Sequence, residues 1–268
     1  MATNTDRNKF RDAVLTEMAK SDNDINNDIR KHLTAIITAC MAYKGKDFTF
    51  SANKTIEKKV DKILDVLSGD IYSSVYNRAK KAANIAFEQE HNKALNEFLI
   101  DFMALTIDKK TIADRIDVYI NNLKNEFEAY VAVGIANGYN TQKIITMWLA
   151  NKKKPLDFWL IKNNIGKLSA KYLQKDRYIG KGYLSSSYVG FTELERNNTF
   201  QSYNYTLNRI WQKQGMKYWY TVRGSNYPCE YCDSQVGIMH PITELFLGYH
   251  NRCMCVMIKV DENGKEYK

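Results

Sequence analysis

Proline is nearly missing from this chain of 268 residues: it stands only at positions 155, 228 and 241, so the first 154 residues carry none. Without the strongest helix breaker, that stretch is free to run in long helices. No apolar run approaches the ~20 residues needed to span a bilayer, which argues against a membrane-spanning helix. No Gly-rich phosphate loop of the G-x-x-x-x-G-K type is present, so ATP-driven packaging by this chain is not expected. Met1 to Asn23 is polar and charged throughout and does not resemble a secretory signal, so a reducing compartment is the expectation. Cysteine is scarce as well, at five residues, yet four of them crowd between Cys229 and Cys255.

The apolar fraction of 44% is ordinary for a globular protein, and the length suits one or two domains. Lys and Arg number 39 against 30 Asp and Glu, a net charge of +9. That balance favours a polyanionic neighbour, either nucleic acid or an acidic protein surface.

Apolar residues recur at the three and four spacing of a helical face. Ile25, Ile29, Leu33, Ile36, Ile37, Cys40 and Met41 form the first stripe, with Cys40 simply part of it. Ile56, Val60, Ile63, Leu64 and Leu67 form the second, which Ser68-Gly69 is expected to end. A third runs from Ile71 to Met103, its alanines suggesting close packing against another helix. Thr111 and Asp114 resemble a capping box ahead of a fourth stripe, Ile112 to Val131, which Gly138 closes. Thr141 is the expected cap of a short fifth helix bearing Ile144, Ile145, Trp148 and Leu149. Residues 1–150 therefore read as a helical domain.

The lysine run ending at Pro155 reads as a linker. Beyond it, residues 151–192 form a basic, aromatic connecting region. Lys171, Lys175, Arg177 and Lys181, interleaved with Tyr172, Tyr178 and Tyr183, are candidate nucleic-acid contacts, since lysines neutralise phosphates and tyrosines stack on bases. Ordinary solvated surface lysines are the plain alternative.

Residues 193–260 read as a small α+β domain, followed by a polar tail, 261–268, expected to fray. Glu193 to Gln214 is a helix whose faces carry Arg196, Asn198, Gln201, Asn204 and Asn208 where aliphatics are usual. Met216 to Arg223 and Cys255 to Val260 alternate like strands. Between them lie Cys229-x2-Cys232 and His250-x2-Cys253-x-Cys255. Two close thiol pairs can complete one tetrahedron, so the motif reads as a structural zinc knuckle that contributes folding energy to a sheet too poor in core to stand alone. Cys229, Cys232 and Cys253 are the expected ligands, with either His250 or Cys255 in the fourth place. Reduced structural thiols and two disulfides are the alternatives. A site filled by three or four sulfurs is closed, so no catalytic residues are expected.

The segment Trp219-Tyr220-Thr221-Val222-Arg223, the Cys229-x2-Cys232-Asp233 turn, Gly237 and the His250-Asn251-Arg252-Cys253-Met254-Cys255 box together resemble the C-terminal signature of the phage Mu F-like minor head, or head morphogenesis, proteins. The family's box reads H-P-N-C-R-C; here the proline is missing and Asn251 and Arg252 are shifted. Glu195-Arg196-Asn197-Asn198 is similar to the start of the family's upstream helix. The resemblance covers roughly residues 180 to 260, about a third of the chain. It implies a structural, non-enzymatic minor head protein of a tailed bacteriophage or prophage, found in the virion head and in the host cytoplasm during assembly. Portal and capsid proteins are its implied partners, with double-stranded DNA and further copies of the chain as additional candidates and no membrane. The runner-up reading is a zinc-dependent nucleic-acid-binding protein or treble-clef-like nuclease, for which His240, His250 and Asn251 invite comparison.

Overall fold

Apolar spacing becomes helix along most of the proline-free stretch. A computed structural model describes residues 4–93, 96–107, 109–154, 186–225, 228–250 and 252–267. Its helices are α1 (Asn4–Ala19), α2 (Ser21–Met41), α3 (Lys54–Gln89), α4 (Asn96–Met103), α5 (Ile112–Ala136), α6 (Thr141–Asn151) and α7 (Ser187–Lys213). Strand β1 (Tyr218–Val222) follows, then the short helix α8 (Glu230–Gln235), β2 (His240–Pro241) and β3 (Val256–Val260). The protein is mainly helical with one small antiparallel sheet, ordered β2-β1-β3. No described helix is long and apolar enough to cross a membrane.

Several boundaries differ from the sequence expectation. Ser68-Gly69 does not end a helix but lies inside α3. Leu64, Leu67, Ile71 and Val75 are all buried, and this unbroken stripe outweighs the roughly 1 kcal/mol that glycine costs within a helix. The helix expected from Ile71 to Met103 is instead divided after Gln89. There His91 takes φ 50, and the Asn92 N–H donates to the Phe87 carbonyl at 2.9 Å, closing the helix in a left-handed cap. Asn140, rather than Thr141, caps α6: its side chain accepts from the Lys143 N–H at 2.9 Å. Gly138 and Gly215, with φ 68 and 76, end α5 and α7 as glycine at such positions should. The tail does not simply fray, since Val260 bridges to Glu266 and the Tyr267 N–H donates to the Lys259 carbonyl.

The chain divides into two units, each assembled from separated stretches. One comprises Asp22–Ser73 and Ile112–Thr192. Its core is built from the apolar stripes of α2, the first part of α3, α5 and α6, with Phe127 against Trp148 at 5.5 Å and Tyr119 against Phe191 at 5.5 Å. The other comprises Met1–Ser21, Ser74–Thr111 and Glu193–Lys268. Here the alanines of α3 (Ala79, Ala82, Ala83 and Ala86) are buried, and the Ser202 hydroxyl of α7 donates to the Ala79 carbonyl at 2.8 Å. Arg78, 4% exposed, reaches both Glu17 and the fully buried Glu195. The polar residues of α7 are therefore interior: Asn198, Thr199, Ser202, Asn204, Thr206 and Asn208 are all buried. Asn208 explains one of them directly, since its amide donates to the carbonyls of Ile242 and Glu244, each at 3.1 Å, and holds the loop between the cysteine pairs.

Candidate metal centre

Cys229 is the last extended residue before α8, and Cys232 lies in the first turn of that helix. The C-x2-C spacing thus wraps one helical turn and aims both thiols to one side. The second pair is brought in by a tight turn in which the Cys253 N–H donates to the His250 carbonyl at 3.0 Å, with Arg252 at φ 64. β3 then starts immediately after Cys255 and pairs with β1 in register, Tyr220 opposite Ile258 and Val222 opposite Val256. The two halves of the motif approach so closely that a Cβ on Gly224 would stand 1.5 Å from the Met254 carbonyl oxygen.

The five donors meet as two triads. Cys229, Cys232 and His250 form one; Cys232, Cys253 and Cys255 form the other; within each triad the ligand atoms lie within 4.8 Å of one another. His250 Nε2 is 3.0 Å from Cys232 Sγ and 3.3 Å from Cys229 Sγ, and Cys232 Sγ is 3.9 Å from Cys253 Sγ. Ligands on a tetrahedral zinc, with bonds of about 2.3 Å to sulfur and 2.0 Å to nitrogen, stand roughly 3.5 to 3.8 Å apart. The arrangement can hold a metal ion, with Cys232 common to both triads. None of the five cysteines is in a disulfide. Cys40 stands apart, buried in α2, where desolvation first and Glu128 second push its thiol up to about 12.

The thiols are electrostatically unequal. A hydrogen bond from Cys255 leads the interactions that hold Cys253 down at about 5, while burial pushes Cys232 up to about 11. Cys229 is lowered, first by the backbone N–H of Cys232. A metal entering such a cluster displaces the remaining thiol protons.

Around the donors lies a ring of supports that sequence pattern did not reveal. The Arg252 guanidinium grips Glu193 with two bonds of 2.7 and 2.8 Å, and the Arg252 N–H donates to Asn197 Oδ1 at 3.1 Å, fastening the turn to α7. Arg223 donates to the Cys229 carbonyl at 3.3 Å and pairs with Asp233 at 3.3 Å. Arg252 was visible only as a shifted residue in the box, and its partner lies 59 positions away. His240 stands outside both triads: its ring stacks on Trp219 at 4.3 Å, and Nδ1 meets Glu244 at 3.2 Å. Lys171, Lys175, Arg177 and Lys181 lie outside the described residues. Compared with protein-family models, with curated proteins and with solved structures, the chain gives no match.

Proposed function

We propose that residues 216–260 are a zinc-stapled structural module and that the chain is a minor head, or head morphogenesis, protein of a tailed bacteriophage or prophage. In this reading it is a non-enzymatic assembly component that binds portal and capsid proteins. The observation that carries the zinc assignment is the set of five sulfur and imidazole donors gathered around Cys232. Thiolate-rich sets select zinc among the common divalent ions, and four protein ligands filling the tetrahedron would leave no open coordination position for hydrolysis. Cys229, Cys232 and Cys253 would hold the ion, with His250 or Cys255 completing the tetrahedron. Zinc there supplies a cross-link between α8 and the start of β3. The head-protein assignment is supported by the Trp219 to Cys255 signature and its resemblance to the Mu F-like family.

Metal content measured by mass spectrometry on native and denatured protein, with free thiols titrated in parallel, tests the first part. One zinc per chain, lost together with the fold of 216–260 on chelation, is expected; no metal with free thiols overturns it. Co-expression with a tailed-phage portal protein tests the second part. A stable co-purifying complex is expected, and a chain recovered free of portal and capsid proteins from an assembling culture overturns that assignment.

A further inference from the structure

Two exposed surfaces of opposite charge remain, the second made of side chains that supply no donor but lie in the segment carrying Cys229, Cys232 and His250. The first is a face of α3. At 100° per residue, Lys58, Lys59, Lys62, Val66 and Tyr72 fall within an arc of roughly 140°. All five are exposed, Val66 at 56% and Tyr72 at 37%. The nearby acids Glu57 and Asp61 are taken by Lys54 and Lys124. Asp65 shares the arc and leaves it net positive. At its centre is Gly69, where an added Cβ would meet nothing within 4 Å. Among the described residues no neighbour requires glycine there, although glycine inside a helix costs about 1 kcal/mol relative to alanine. The missing side chain leaves a notch flanked by Val66 and Tyr72.

The second surface is the connector between the cysteine pairs. From Gly224 to His250 it carries Glu230, Asp233 and Glu244; Asp233 pairs with Arg223 and Glu244 meets His240, which leaves exposed Glu230, beside Tyr231, as its outward acid. Tyr231 at 57%, Ile238 at 46% and Met239 at 38% are among the most exposed large apolar side chains. Ile238 and Met239 follow the turn in which the Ile238 N–H donates to the Gln235 carbonyl, while the Tyr231 ring, on α8, meets Tyr249 edge to face at 6.1 Å.

We infer that these surfaces are the two halves of one self-association contact. The acidic, apolar connector of one copy seats on the basic face of α3 in a second copy, and Tyr231 fills the notch at Gly69. An exposed tyrosine entering a pocket rimmed by opposite charges is the usual anatomy of an energetically dominant contact. Duplex DNA would engage the lysines but leave Val66 and Tyr72 unmatched, which favours a protein occupant. Each copy carries both surfaces, so the contact either closes reciprocally in a pair or continues from copy to copy. The inference does not depend on the head-protein reading.

Sedimentation of the full-length protein at ~5 to 100 μM, a range that covers micromolar affinities, tests it. Concentration-dependent assembly beyond the monomer is expected, weakening as salt rises. Lys59→Glu with Lys62→Glu in one variant, and Glu230→Lys in another, each weaken assembly by about tenfold or more, the effect expected of reversed charges at a contact. Mixing the two variants restores assembly, because the acidic helix face of one then meets a lysine at position 230 of the other. Gly69→Leu and Tyr231→Ala also weaken assembly while helical circular dichroism is unchanged. A monomer across the whole range overturns the inference, as do charge variants that assemble like the parent or a mixture no better than its components. Loss of duplex-DNA binding by the lysine variant with self-association intact would assign the α3 face to nucleic acid instead.

Discussion

Cys232 belongs to both donor triads, whereas His250 and Cys255 each belong to one. Cys232→Ser is therefore expected to abolish metal retention, while His250→Ala and Cys255→Ser taken singly each leave a bound ion at reduced affinity. Zinc stoichiometry after dialysis against a weak chelator measures this, and loss of the ion in either single variant identifies the fourth ligand. A second residue-scale expectation concerns Glu126, buried in α5, where its carboxylate accepts from the Ser187 N–H at 2.7 Å and hydroxyl at 2.8 Å. Burial dominates these bonds and pushes the carboxyl up from 4.5 to about 7. The folded state thus holds the proton more tightly than the unfolded state. The resulting stabilisation is complete below about pH 4.5 and is lost as pH rises through about 7, an effect of up to about 3 kcal/mol. Urea midpoints measured from pH 5 to 8 should fall with pH, and Glu126→Gln should flatten that slope.

At the scale of elements, helices with wide apolar stripes were legible from spacing alone, because α2 and α5 bury the very residues their periodicity singles out. The division of the chain at His91 was not. It depends on one residue adopting a left-handed conformation that is uncommon outside glycine, though histidine is among the residues enriched there. Nor was the burial of the polar α7 face, since Ser202 and Asn208 are satisfied by carbonyls 123 and 34 to 36 positions away. The cysteine cluster was legible as a donor set, because its ligands sit in tight sequence pairs. The clamp of Arg252 on Glu193 was hidden for the opposite reason. Gly224 gives this scale its prediction. A methyl group there meets the Met254 carbonyl, which is backbone and cannot turn aside. Gly224→Ala should cost about 2 kcal/mol or more through overpacking. The loss should appear as faster amide exchange in β1 and β3 and a weaker hold on the metal, with α2 and α5 unaffected.

At the scale of the molecule, composition suggested a helical half followed by a knuckle, but contacts group the chain differently. Met1–Ser21 and Ser74–Thr111 share a unit with Glu193–Lys268. Tyr203 reaches Gln89, and Arg78 lies beside Glu195. A fragment ending at residue 150 is accordingly expected to deprive Arg78 of Glu195, leaving it Glu17, and to uncover the alanine face of α3. Removing one partner of a buried ion pair costs about 3 to 5 kcal/mol. Hydrogen exchange on such a fragment should show the second part of α3 unprotected; protection equal to the full chain would mean that this unit closes without its C-terminal third.

That interleaving also fixes an order of events during synthesis. The unit made of Asp22–Ser73 and Ile112–Thr192 has its last stretch once residue 192 is out of the ribosome, whereas the other has only its first two pieces until residues 193–268 follow. At about 5 to 20 residues per second, those early pieces wait on the order of ten seconds, with the apolar side of α3 lacking its cover. The four clustered cysteines and His250 lie in that later stretch, so the donor set can close only after the unit's other two pieces have been made.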